Sequence, residues 1–132
     1  MPLALPALVT LLAILWYVVT GIHVGRMRTK CKVSAPATTG DPAFERAFRV
    51  QMNELEQIVA FLPVMWVFAW FGNPRFAALA GAVWLVGRIV YALGYWAEAR
   101  KRHTGFMIST FALSITWVAA LVSVVRVVGF AA

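Results

Sequence analysis

The sequence predicts an all-α fold, a bundle of four membrane-spanning helices, and three observations carry that prediction. Of the 132 residues, 62% are hydrophobic and only 13% charged, whereas a soluble domain is about half apolar. The apolar residues gather in four runs, each long enough to cross ~30 Å of hydrocarbon. The twelve Lys and Arg, set against five Asp and Glu, collect at the ends of those runs, where retained cytoplasmic loops place them. The whole chain, 1–132, reads as one transmembrane domain with helices near 3–30, 42–71, 75–102 and 105–127.

The first apolar run, Leu3 to Val24, has no positive segment before it and no small-residue cleavage site, and it runs straight into Arg26, Arg28, Lys30 and Lys32. It therefore reads as a retained helix and not a signal peptide. Pro2 and Pro6 suit its first turns, where missing N–H groups cost little. The stretch from Ser34 to Pro42 is turn-rich. It closes on Asp41-Pro42, an N-cap followed by proline at the first helical position, with Glu45 adding negative charge to the opening turn. The second helix is thus polar through Glu56 and apolar from Ile58 to Phe71, with Pro63 bending it without ending it. Gly72-Asn73-Pro74-Arg75 is a tight turn. The third run, Phe76 to Ala97, is interrupted only by Arg88, and Arg100, Lys101, Arg102 and His103 close it. The fourth, Phe106 to Val125, is nearly all hydrocarbon.

Short connections make successive helices antiparallel neighbours. The first and third loops hold the basic clusters and the second holds only Arg75. Loops one and three are therefore expected in the cytoplasm and both termini across the membrane. The same end of the bundle then carries the polar start of helix two and the basic end of helix three.

Arg49, Asn53 and Glu56 are spaced i, i+4, i+7. Arg88, Tyr91, Tyr95 and Arg102 are spaced i, i+3, i+7, i+14. At ~100° per residue each set forms one narrow stripe. A lipid-facing Arg or Glu near mid-bilayer costs roughly 2.5–3.5 kcal/mol on insertion scales, so such stripes face a bundle interior or a wet cavity. Several guanidiniums with one carboxylate suit a zwitterionic small molecule bearing more than one carboxylate, because Arg binds carboxylates in bidentate fashion and Glu receives an ammonium. Lipid-headgroup contact is the competing reading for these arginines, most of all for Arg28. Arg88, deepest of the set, is expected to pair with a buried acid, for which Glu56 or Glu98 could serve, or with helix-end carbonyls, in a structural role.

Other chemistries lack their parts. A lone Cys31 excludes an intramolecular disulfide. No glycine-rich phosphate loop, metal-ligand cluster or Ser-His-Asp set can be assembled, and the net charge of +7 has no soluble basic face with which to hold nucleic acid. An enzyme built from these residues would act electrostatically on a bound reagent.

At these residues the chain resembles the MAPEG family, the membrane-associated proteins of eicosanoid and glutathione metabolism. The likeness lies in Phe44-Glu-Arg-Ala-Phe-Arg-Val-Gln-Met-Asn-Glu-Leu-Glu56, in Gly87-Arg-Ile-Val-Tyr-Ala-Leu-Gly-Tyr95 with Arg102, and upstream in Arg28 to Ser34 and Thr38 to Pro42. It is nearest in motif to the leukotriene-C synthase and microsomal glutathione transferase branch. The resemblance implies a homotrimer with glutathione, as co-substrate, at each subunit interface. It implies glutathione contacts at Arg28, Arg49, Gln51, Asn53, Glu56, Tyr91, Tyr95 and Arg102, with Arg102 stabilising the thiolate. The activity expected is transfer of glutathione to lipophilic electrophiles from the bilayer, with peroxidase chemistry as a further activity the resemblance allows. A non-catalytic lipid-binding or scaffold protein of the same fold is the alternative. A small multidrug-type transporter is disfavoured because the first helix carries no carboxylate.

Overall fold

The computed structural model of the chain describes residues 1–131. Its helices are α1 (Ala4–Cys31), α2 (Pro42–Phe71), α3 (Pro74–Ala97) and α4 (His103–Ala131), with a short 3-10 turn, Ala99–Arg102, between α3 and α4. All four are long and apolar enough to cross a membrane. The third is the most enclosed: half of its most apolar window is buried, against 17% for the fourth. α3 is therefore the helix around which the others assemble. Leu5, Leu8, Leu11, Leu15 and Ile22 of α1, and Phe111, Ile115, Val118 and Val125 of α4, are exposed, a surface that lipid solvates and water does not.

The ends of the helices follow local chemistry. Asp41 Oδ1 accepts from the Ala43 and Phe44 amides at 2.8 and 3.3 Å, and Asn73 Oδ1 caps α3 through Arg75 and Phe76. Proline occupies the first turn in both. A hydrogen bond from the Cys31 thiol, and then the two amides, hold the Asp41 carboxyl below the ordinary aspartate range. A depressed carboxyl favours the folded state above its unfolded value of about 3.9, and that contribution is lost as pH falls through the lower folded value. Asp41→Ala is accordingly expected to lower the unfolding midpoint at pH 6, with the difference from wild type shrinking as pH falls through the lowered folded value, as read by thermal denaturation in detergent.

Within the apolar slab, Phe61 of α2 lies flat on Trp84 of α3, with centroids 4.5 Å apart and planes 5° from parallel. Met65, Val9, Ala13, Ala77 and Ala112 fill the space around them. Trp66 Nε1 donates to Thr10 Oγ1 at 3.0 Å, giving an indole on α2 a partner on α1. α3 and α4 approach closely through glycine. A Cβ on Gly105 would overlap the backbone of Tyr91, and one on Gly87 would stand 2.7 Å from the Ser109 amide nitrogen. Backbone cannot swing aside as a side chain can. Gly105→Ala is therefore expected to force the two helices apart at a cost of about 3 kcal/mol or more, measurable as a fall in thermal midpoint.

The third helix differs from expectation. The reading of 75–102 as one helix fails at Glu98, whose backbone is extended, so α3 stops at Ala97. Two features hold the break. Arg46 Nε of α2 donates to the Trp96 carbonyl at 3.3 Å, satisfying a helix-end acceptor. Gly94 leaves room for the Ala99–Arg102 turn to fold back, since a Cβ there would strike the Lys101 carbonyl. α4 then begins at His103 instead of 105 and continues to Ala131 instead of 127.

Candidate functional site

The α2 residues Ala47, Val50, Glu54, Phe61 and Met65 are all buried and share one stripe at helical spacing. A carboxylate thus sits in the middle of the core face. Opposite it on α3 is Arg88. Both side chains are 0% exposed, and Arg88 Nε meets Glu54 Oε2 at 3.0 Å. The expected partners of Arg88, Glu56 and Glu98, are engaged elsewhere: Glu56 lies 3.7 Å from Arg49, and Glu98 lies 3.7 Å from Lys101. Register explains the correction. Glu56 is two residues from Glu54, about 200° further round α2, which turns it outward. Glu98 stands beyond the end of α3.

From this pair a chain of contacts leads to the surface. Arg88 Nη2 donates to Asn53 Oδ1 at 2.9 Å, Asn53 Nδ2 donates to Glu56 Oε2 at 3.0 Å, and Glu56 closes on Arg49. On α3 the Arg88 guanidinium lies 4.3 Å from the Tyr91 ring centre, and Tyr91 meets Tyr95 edge-on at 5.6 Å. Arg102 completes the line 5.0 Å over Tyr95. Had α3 run on, Arg102 would stand seven residues, or ~10 Å, beyond Tyr95. The break brings it back onto the ring.

Six of the expected site residues, Arg49, Asn53, Glu56, Tyr91, Tyr95 and Arg102, are therefore linked in one cluster. Arg49 and Tyr95 also line a cavity of about 490 Å³ with Thr38, Pro42, Glu45, Arg46, Phe48 and Ala99, a volume in the range of small-molecule sites. The Arg49 and Glu56 side chains are 58% and 52% exposed. An ion pair so solvated is worth at most about 1 kcal/mol, so either partner can exchange the other for a ligand at little cost.

Arg28 and Gln51 lie elsewhere. Arg28 Nη1 donates to the Ala37 carbonyl at 2.7 Å and its guanidinium covers the Phe44 ring at 4.7 Å, clamping the α1–α2 loop. Gln51 turns toward α1, its amide lying where a Cβ on Gly21 would be 3.0 Å away. Gln51 is two residues from Arg49 and so faces the opposite way. Glu54 is the site-supporting residue that spacing alone missed. Its signal was present, as one acid on a stripe of core residues facing one arginine on another.

Residues 6–122 match the MAPEG family. The chain belongs to that family. Among its MAPEG relatives, an uncharacterized protein of Synechocystis is 51% identical over 119 residues, 90% of this chain and 87% of that protein. Human microsomal glutathione S-transferase 2 is 43% identical over 94 residues, covering 71% of this chain and 64% of the human one. Bovine leukotriene C4 synthase is 40% identical over 110 residues, 83% and 73% of the two chains. This MAPEG chain is accordingly a multi-pass membrane protein whose four apolar helices carry a charged cluster where α2, α3 and the 3-10 turn meet.

Proposed function

We propose that this protein is a membrane-embedded glutathione transferase that joins glutathione to lipophilic electrophiles. The observation that supports it best is the contact line that runs from Arg49 through Glu56 and Asn53 to Arg88, and from Arg88 through Tyr91 and Tyr95 to Arg102, in a chain whose relatives include a microsomal glutathione S-transferase. Glutathione carries two carboxylates, one ammonium and one thiol. Arg49 and the Asn53 amide suit a carboxylate, and Glu56 suits the ammonium. Arg102, held over Tyr95 at the far end of the line, is left for the sulfur.

Arg102 favours the thiolate over the thiol by placing a positive charge beside it. The thiol proton leaves to solvent. The sulfur lone pair then forms a carbon–sulfur bond at the electrophilic carbon, and the electrons of the displaced bond depart with the leaving group or take up a proton. Exposed apolar faces of the helices admit the second reactant from the bilayer. Reduction of lipid hydroperoxides by the same thiolate is a second outcome open to this site.

Arg28 and Gln51 fit the same reading if copies of the chain assemble. Both lie on the α1 side of α2, away from the other six, so one copy's α1–α2 face can complete the cluster of the next. A homotrimer with a site at each interface is the arrangement proposed, with the basic loops on the cytoplasmic side.

The test uses purified protein in detergent. Glutathione should produce thiolate absorbance near the ultraviolet edge, and a chromogenic electrophile should be consumed only when glutathione is present. Loss of both signals would turn the assignment to a non-catalytic lipid-binding protein.

A further inference from the structure

The buried pair at the back of the site has no stabilising rationale. Glu54 Oε1 and Arg88 Nη1 are both buried, and neither has a partner among the described residues. A buried ion pair with unsatisfied atoms is generally no better for stability than well-packed apolar residues of similar size. Its geometry supplies a different reason. Arg88 has only donors and Glu56, when ionised, only acceptors. Asn53 stands between them, accepting from Arg88 at 2.9 Å and donating to Glu56 at 3.0 Å. Its amide therefore has one permitted orientation, with the oxygen inward and the NH2 outward. Nδ2 spends one hydrogen on Glu56 and has a second to offer.

We propose that Glu54 is a positioning residue. Through Nε it holds Arg88 in place, Arg88 locks the Asn53 carbonyl inward, and Asn53 thereby presents a fixed N–H donor to a ligand carboxylate. Without the lock the amide can turn over and aim its oxygen at that carboxylate, converting an attraction into a repulsion. The inference rests on the glutathione reading above and deepens it, for it names which group on the ligand Asn53 meets and what enforces the meeting.

The experiment compares three full-length proteins in detergent: wild type, Glu54→Gln, and the double variant Glu54→Leu/Arg88→Met. The double variant replaces the pair with apolar side chains, so it leaves no buried charge and is expected to fold with an unfolding midpoint near that of wild type. Its Kd and KM for glutathione should rise about tenfold, the effect of losing one charge-assisted hydrogen bond, while kcat at saturating glutathione falls much less. Glu54→Gln keeps an acceptor for Arg88 Nε and should lie between the two. Should the double variant not fold, the rise in Kd for Glu54→Gln over wild type decides alone. A folded variant with unchanged glutathione affinity, or one in which kcat falls and KM does not, overturns the positioning role while leaving the transferase reading intact. A wild-type protein that binds no glutathione overturns both.

Discussion

Replacing Arg102 with Ala is expected to lower the thiolate population of bound glutathione at pH 7 by about twentyfold. A thiol of ordinary pKa, about 8.5, is a few per cent ionised at neutral pH, while one lowered by ~2 units is about three-quarters ionised. Turnover follows less steeply, because the more basic thiolate is the better nucleophile and recovers part of the loss. The rate deficit should therefore be severalfold at pH 7 and close as pH rises toward about 8, where the growing thiolate fraction and its higher nucleophilicity together offset the loss. Glutathione affinity should change little, since Arg49, Asn53 and Glu56 hold the tripeptide elsewhere along the line. Titration of the thiolate absorbance is the direct measurement. An ionisation midpoint identical in wild type and Arg102→Ala would remove Arg102 from the chemistry. The guanidinium's place over Tyr95 makes a Tyr95→Ala variant informative as well, because it takes away the surface that holds the charge in position.

Arg88→Leu is expected to be the most destabilising single change in the site. It strands the Glu54 carboxylate in a fully buried position, and breaking a buried pair by removing one partner costs about 3–5 kcal/mol. The same substitution removes the donor to Asn53 and the cation beneath Tyr91, so α2 and α3 lose their polar tie at one stroke. Arg49→Leu provides the contrast: its partner Glu56 is half exposed and remains hydrated, so the change should cost under about 1 kcal/mol. Thermal unfolding in one detergent orders the two. Near-equal losses would mean that the Glu54–Arg88 pair is screened by water and is not the closed contact described here.

Much of the architecture could be read from residue order. Four apolar runs with cations at their ends imply four spans whatever their tertiary arrangement, because hydrocarbon admits only backbone that satisfies its own hydrogen bonds. The Asp41-Pro42 cap was equally legible, since it acts on amides two and three residues away, whereas Asn73-Pro74, read only as part of a tight turn, proves to cap α3 in the same way. The α2 stripe of Arg49, Asn53 and Glu56 was legible because helical period places those residues on one face, and the contacts among them are local.

The third helix shows where that reasoning stops. Periodicity counts Arg102 as the end of a straight α3 stripe, yet its place over Tyr95 is reached through a break at Glu98, supported by Arg46 on another helix and by the bare backbone of Gly94. The pairing of Arg88 with Glu54, 34 residues away, likewise depends on how two helices are rotated about their axes. The separation of Arg28 and Gln51 from the other six depends on which face α1 covers. What the chain alone determined, then, was its four apolar runs, the cap at Asp41 and the polar face of α2, because these follow from transfer free energy and from hydrogen bonds within a turn or two. Which acid neutralises the buried arginine, where the basic turn folds and which residues share a wall were decided by helix packing, because side-chain volumes and glycine contacts between separate segments set the rotation and closeness of the helices.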